Sequence, residues 1–284
     1  MIIKELKYVD EKLIKEIKDL VEVCRKFDAL KEEIYLSNEL NFNKEIKYVF
    51  VLYEDNKLVS VLSVFIPTEI EGEFSAYTLP EYRNRGYFKE LFNRAKMELQ
   101  KYKVSDILLV CEASSKSGKA VVQRLGAKYD FAEYSMKYIG KDKIDLNNFK
   151  SQLYTADMKD IDDLANISMN GFKSNSYEDS KQFVKSILES EDRIQLLTKV
   201  NDKCIGMVSV GIHEDKCGIF GVAIMPEYRG NGFGKELVKL ALNYLIKRNY
   251  DNIWLDVDSK NDIAFNLYKS IGFEVQNAVE YYRL

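Results

Sequence analysis

The chain of 284 residues holds one histidine, one tryptophan, three prolines and four cysteines. His213 is the only imidazole available to Cys24, Cys111, Cys204 and Cys217, and no C-x-x-C pair occurs, so no metal site is expected. Scattered free thiols suit core filling and a reducing, cytoplasmic compartment. Three prolines and 14 glycines are too few for a collagenous or linker-rich chain, and 46% hydrophobic residues are too many for disorder. No apolar run approaches the roughly 18 residues a membrane span needs; Ile219 to Met225 is typical of the longest. Lys4, Glu5, Lys7, Asp10, Glu11 and Lys12 interrupt any apolar leader, so no targeting segment is expected. With 42 basic and 45 acidic residues, a net charge of -3 provides no global basic field. Nucleic acid and membrane are therefore not expected partners.

What is present is a repeat. Pro80-Glu81-Tyr82-Arg83, Gly86 and Lys89-Glu90-Leu91 recur as Pro226-Glu227-Tyr228-Arg229, Gly232 and Lys235-Glu236-Leu237, an offset of 146. The same offset carries Ser63-Val64 onto Ser209-Val210, Gly72 onto Gly218, Gly126 onto Gly272, and Tyr138 onto Leu284. A chance match would not hold register over such a span. Two domains are expected, 1–140 and 147–284, joined by the polar stretch Gly140-Lys141-Asp142-Lys143.

Each half reads as mixed α/β. In the second, residues 157–171 and 182–189 have helical apolar spacing, and strands follow at 194–200 and 204–212 around an Asn201-Asp202 turn. Ile219–Met225 is a third strand, Gly232–Arg248 a helix, and Ile253–Val257 a strand that should bury Trp254. A helix capped at Asn261 or Asp262 and ending at Gly272 precedes a last strand. The order implies a mixed sheet with helices on its faces. The charged segments Lys15–Lys18 and Lys31–Glu33 read as solvated faces of the first helices.

Between strand and helix lies Arg229-Gly230-Asn231-Gly232-Phe233-Gly234. A Gly-rich turn opening a helix aims unpaired N–H groups and the positive end of the helix dipole at one point, which favours phosphate or pyrophosphate. Arg229 and Lys235 are placed to add charge. The alternative is a turn whose glycines only satisfy unusual dihedrals. Strand, proline, arginine, glycines and helix in that order favour the phosphate reading.

Val222-x-Ile224-x-Pro226 followed by Arg229-x-x-Gly232-x-Gly234 resembles the acyl-CoA-binding motif of the GNAT superfamily of N-acetyltransferases. Asp256-Val257, Asn261, Ala264, Leu267-Tyr268 and Gly272-Phe273 are similar to that family's second signature, so the resemblance spans 219–273. It implies α/β architecture with two tandem acetyltransferase-like domains, each a mixed, mostly antiparallel β-sheet flanked by helices. It further implies acetyl-CoA as cosubstrate, held by the amides of Gly230, Asn231, Gly232, Phe233, Gly234 and Lys235. The backbone of Val222, Ala223 and Ile224 would run beside the pantetheine and donate an N–H to the thioester carbonyl. Tyr268 would be the general acid, and Asn261 would bond the cofactor chain or merely cap its helix. The acceptor would be a small-molecule amine or a peptide, approached from a loop at 172–182, and the chain a monomer forming a pseudo-dimer, or a homodimer.

For the base that deprotonates the amine, Glu214, Asp215, Asp256 and Asp258 are available and no spacing singles one out; His213 reads as a solvated loop residue. The N-terminal half departs from the pattern: Phe88 stands for Gly234, Val122 for Tyr268 and Ser115 for Asn261. Val122 has no proton to give, so catalysis is expected in the C-terminal half, with the N-terminal half as support or as one wall of the acceptor site. The competing reading is a non-catalytic acyl-CoA-binding or regulatory module.

Overall fold

The computed structural model describes residues 1–140, 144–172, 176–213 and 216–284. The chain forms two compact units, Met1–Glu133 with Asn277–Leu284, and Tyr134–Gln276. These do not coincide with a cut between residues 140 and 147. The first unit takes in the C-terminal segment, and the second begins inside a strand. Lys141, Asp142 and Lys143 of the expected junction lie outside the described residues.

Unit 1 runs β1 (Ile2–Leu6), α1 (Glu11–Asp28), β2 (Val49–Glu54), β3 (Lys57–Phe65), β4 (Glu71–Thr78), α2 (Tyr87–Lys101), β5 (Asp106–Glu112), α3 (Lys116–Leu125) and the first part of β6 (Lys128–Tyr138). Its strand order is β1-β2-β3-β4-β5, followed by the C-terminal stretch of β12 (Phe273–Arg283). All neighbours are antiparallel except β4 and β5. The Asp10 carboxylate caps α1 by accepting from Leu13 N. Ile17, Leu20, Val21 and Cys24 form the buried face of that helix.

The helix stops at Ala29, which adopts the left-handed conformation (φ 55°). Lys31–Glu33 is therefore not helical, contrary to expectation. The Lys31 and Glu32 amides donate to Glu112 Oε2 at 2.8 and 2.9 Å, and a carboxylate that captures two successive N–H groups competes with helix formation.

Unit 2 runs from the second part of β6 through β7 (Gln152–Thr155), α4 (Ile161–Phe172), α5 (Tyr177–Leu188), β8 (Arg193–Val200), β9 (Lys203–His213), β10 (Lys216–Ile224), α6 (Phe233–Ile246), β11 (Asn252–Asp258), α7 (Asp262–Ile271) and the start of β12. Its strand order is β7-β8-β9-β10-β11-β6. The β8–β9 hairpin turns on Asn201 and Asp202, both at positive φ, as a tight twisted hairpin requires. Leu237, Val238, Ala241, Leu242 and Leu245 are the buried stripe of α6. On the opposite sheet face, Leu164, Ile167 and Val184 of α4 and α5 pack with Leu197, Met207 and Ala223. The short edge strands β1 and β7 were not expected from the sequence.

Candidate active site

In unit 2 the strand β10 leads through a single 3-10 turn, Pro226–Tyr228, into the glycine loop and α6. Gly230 (φ 77°) and Gly232 (φ 86°) are left-handed, and open space surrounds the place a β-carbon would take on either. Glycine serves here for its dihedrals, which turn the chain so that successive amides point outward. The N–H groups of residues 230–234 make no hydrogen bond among the described residues. Gly232 caps α6 without any side-chain bond. Lys235 is exposed, and its amide closes on Gly232 O at 3.0 Å. Asn231 Nδ2 bonds the Arg229 carbonyl at 3.1 Å, and Phe233 is buried below the loop.

Gly234 has a different reason to be glycine. A β-carbon there would stand 3.3 Å from Leu267 Cδ1, so it also serves the close approach of α6 to α7. Arg229 braces the loop: its Nε donates to Ile224 O at 2.9 Å and its Nη2 to Asn170 O at 3.2 Å, at the C-terminal end of α4. No carboxylate among the described residues neutralises it.

Strand β10 changes register against β9 between Phe220 and Ala223, so Gly221 and Val222 both oppose Val208. Gly221 has φ 61°, which makes this a bulge of the kind that places glycine in the left-handed region. A bulge leaves one residue outside the ladder. Against β11, β10 pairs in parallel only from Lys216↔Asn252 to Ile219↔Leu255. Beyond that point the strands part, and the bulge sits at the opening. Beside it, Ser209 Oγ donates to Gln195 Oε1 at 2.7 Å, and Gln195 Nε2 bonds Val208 O at 3.2 Å; both side chains are buried, 0% and 3% exposed.

Tyr268 of α7 is 8% exposed, packs edge-on against Phe273 with ring centroids 5.9 Å apart, and makes no hydroxyl hydrogen bond among the described residues. Burial pushes its pKa up to about 12, so the phenol stays protonated. Asn261 caps α7: its Oδ1 accepts from Ala264 N at 3.1 Å. Its Nδ2 has no partner among the described residues, so capping leaves a donor to spare.

A model of the Acetyltransferase (GNAT) family matches residues 14–127 and 159–273, most of both halves. The chain belongs to the GNAT acetyltransferase family. The two matched segments lie in tandem along the chain. Among curated relatives, a ribosomal protein bS18-alanine N-acetyltransferase of Haemophilus influenzae is 34% identical over 95 residues, 33% of this chain and 64% of that protein. The match thus spans less than two thirds of that relative's length. Among solved structures, a GCN5-related N-acetyltransferase from Sphaerobacter thermophilus superposes with a TM-score of 0.79 at 16% identity, covering 95% of this chain and 91% of that one. A tandem GNAT protein from the clavulanic acid biosynthesis pathway gives 0.74 at 14% identity, with 99% and 97% coverage. At such identities the two structures speak for the fold alone.

The two GNAT units differ where chemistry would occur. In unit 1 the loop keeps the same backbone, with Asn84 at φ 63° and Gly86 at φ 85°. Arg83, however, is held by Asp28 in a bidentate pair at 3.0 and 2.7 Å. Strand β4 pairs with β3 in unbroken register from Ser60↔Thr78 to Phe65↔Glu73, with no bulge. Val122 fills core where Tyr268 stands in unit 2, and Ser115 caps α3 by accepting from Gly118 N at 3.1 Å. Phe88 stacks on Phe92, 5.7 Å between centroids, so it faces its own helix rather than the loop.

Of the candidate bases, Glu214 and Asp215 lie outside the described residues, as do Lys173, Ser174 and Asn175 of the expected acceptor loop. Asp256 and Asp258 are exposed, and Asp258 Oδ1 is engaged by Lys260 N at 2.7 Å. His213 is exposed at the end of β9. Trp254, expected from the sequence to be core, is half-exposed instead: Ile253, Leu255 and Val257 are the buried side of β11, and Trp254 faces away from them. Gly221 was missed, although an isolated glycine inside an apolar strand is itself a bulge signal. The Gln195–Ser209 pair left no signal in one sequence.

Proposed function

We propose that unit 2 transfers an acetyl group from acetyl-CoA to a primary amine by direct attack, with unit 1 as a supporting domain. The observation that carries this reading is the Gly221–Val222 bulge at the parting of β10 and β11, present in unit 2 and absent from the corresponding strand of unit 1. The residues present fit the cosubstrate. Outward amides at 230–234 with the α6 dipole suit a pyrophosphate, and Arg229 and Lys235 add charge that no carboxylate cancels among the described residues. The backbone from Val222 through Ala223 to Ile224 would flank the pantetheine, with Asn261 Nδ2 as a further donor.

Acetyl-CoA supplies an activated thioester. An N–H at the bulge would stabilise the oxyanion formed when the amine adds to the carbonyl. The nitrogen lone pair forms the C–N bond in that addition, and the C–S bond breaks as the oxyanion collapses to the amide. Tyr268, kept neutral by burial, gives its proton to the departing thiolate. The nitrogen's surplus proton leaves to water or to a nearby carboxylate, with Asp256 on the same strand as the bulge's open side. Holding both reactants together removes much of the entropic barrier, so no covalent enzyme intermediate is required. The bS18-alanine N-acetyltransferase among the relatives supports an amine acceptor on a peptide, and a small-molecule amine fits the same chemistry; the scattered free thiols suit a cytoplasmic setting.

Thiol release from acetyl-CoA across a panel of amines, compared between wild type and Tyr268→Phe, tests this. Amine-dependent release that the variant reduces strongly is the expected result; acetyl-CoA binding with no release on any amine would overturn it.

A further inference from the structure

We propose that the acceptor of unit 2 carries a carboxylate at the end away from its amine, and that this end lies against Lys137 and Lys216 on either side of Trp254. The inference rests on the catalytic reading above and names the substrate class for that site.

The bulge sets up this face. Cys217 and Ile219 point into the core with α6, so Gly218 and Phe220 point to the other side of the sheet, the side of α4 and α5. Gly218 pairs directly with Trp254. Among the described residues nothing lies within 4 Å of where a β-carbon on Gly218 would be, which leaves the strip in front of the indole open. Phe220 is half-buried along the same edge, against Gly211. We take these residues to line the acceptor recess, with Gly218 as its floor.

Its charge has a direction. Lys216 Nζ lies 4.6 Å from the Trp254 ring centroid and Lys137 Nζ 5.4 Å. Neither ammonium has a carboxylate partner among the described residues. Asp256, exposed two residues along β11 on the same side as Trp254, lies nearer the opening of the strands. From Gly218 to Gly221 the chain covers about 10 Å at strand rise. An acceptor with its amine at the bulge, near Asp256, would therefore present its far end to the two lysines. An ammonium at the acid end and a carboxylate at the basic end match this polarity, and an aromatic or apolar body matches Phe220 and Trp254.

Trp254 is the only tryptophan of the chain, so its fluorescence reads the recess directly, whether or not turnover occurs. The probes are 4-(2-aminoethyl)benzoate, its methyl ester and 2-phenylethylamine, titrated into the full chain and assayed as acceptors. The acid should bind about tenfold or more tightly than ester or parent amine. That preference should vanish in Lys137→Gln/Lys216→Gln and persist in Lys216→Arg, with unfolding curves confirming that each variant is folded. Equal binding of acid and ester, a preference that survives the double Gln variant, or no fluorescence response to any probe would each overturn the inference. If other amines are acetylated meanwhile, the catalytic reading stands without it. If acid preference appears but nothing is acetylated, the recess stands and the catalytic reading falls.

Discussion

Phe74 and Phe220 occupy the same place in the repeat and face opposite sides of their sheets. Phe74 packs on Phe92 of α2, 5.4 Å between centroids, while Phe220 turns away from the core that holds Cys217 and Ile219. Moving one strand by one residue reverses every side chain upstream of the shift. The neighbours agree: Gly72 faces Leu99 of α2, whereas Gly218 faces open space. Glu71 and Glu73 take the outward positions of β4, where apolar Cys217 and Ile219 are inward in β10. One inserted bulge thus separates an acidic face from an aromatic one.

Gly221 should be intolerant of any side chain. Its φ of 61° disfavours other residues, and a β-carbon would stand 3.0 Å from Ser209 Oγ. Gly221→Val is expected to lower kcat by about a hundredfold, as loss of one oxyanion donor does. Acetyl-CoA affinity should change far less. Steady-state kinetics beside calorimetric binding separates the two; an equal loss in both would mean the bulge shapes the binding site generally.

Tyr268→Phe should keep acetyl-CoA binding and lose about 10²-fold to 10⁴-fold in turnover. Because burial lifts the phenol to about 12, the wild-type rate should show no fall assignable to this group below pH 11. A pH–rate profile with a descending limb near pH 9 that the variant removes would contradict the assignment.

In unit 1, burial and the neighbouring Glu133 and Glu71 carboxylates raise Glu73 to about 7. Its folded pKa exceeds the unfolded value, so the native state binds more protons, and stability falls as pH rises from about 4.5 through 7. Glu73→Gln should therefore raise Tm at pH 8 and leave it nearly unchanged at pH 4. Thermal unfolding at both pH values checks this; no difference at pH 8 would show that the carboxyl is solvated.

Removing Asn277–Leu284 should damage unit 1 although it shortens the far end of the chain. Val279–Arg283 pairs with β5, and Arg283 bonds Asp130, Asp106 and Glu71. Limited proteolysis of the truncated chain should cut first within 1–133, and equal resistance of both units would refute this.

The repeat, the glycine loop and the order of helices and strands from β8 onward were legible because they rest on periodicity, turn chemistry and capping. Asn201-Asp202 and Asn261 behave as their side chains dictate. Other features depend on contacts distant in sequence. Glu112 takes the amides of Lys31 and Glu32 and ends a helix that local spacing would continue. Trp254 looks like core among Ile253, Leu255 and Val257 until strand alternation is combined with the neighbouring register. The contact that Gly234 leaves room for, with Leu267, exists only through tertiary packing. The C-terminal strand's membership of unit 1 has no local signature at all.

The claim that unit 2 is the catalytic half is tested most directly by a matched pair of loop variants, Gly232→Val and Gly86→Val. Both residues are left-handed, at φ 86° and 85°, in open space, so each substitution strains its own loop alike and little else. Measured as kcat/KM for acetyl-CoA, Gly232→Val should fall by about a hundredfold or more, as lost charge-assisted bonds to a pyrophosphate imply, and Gly86→Val should stay within about twofold. The reverse pattern, or equal losses in both, would contradict the account.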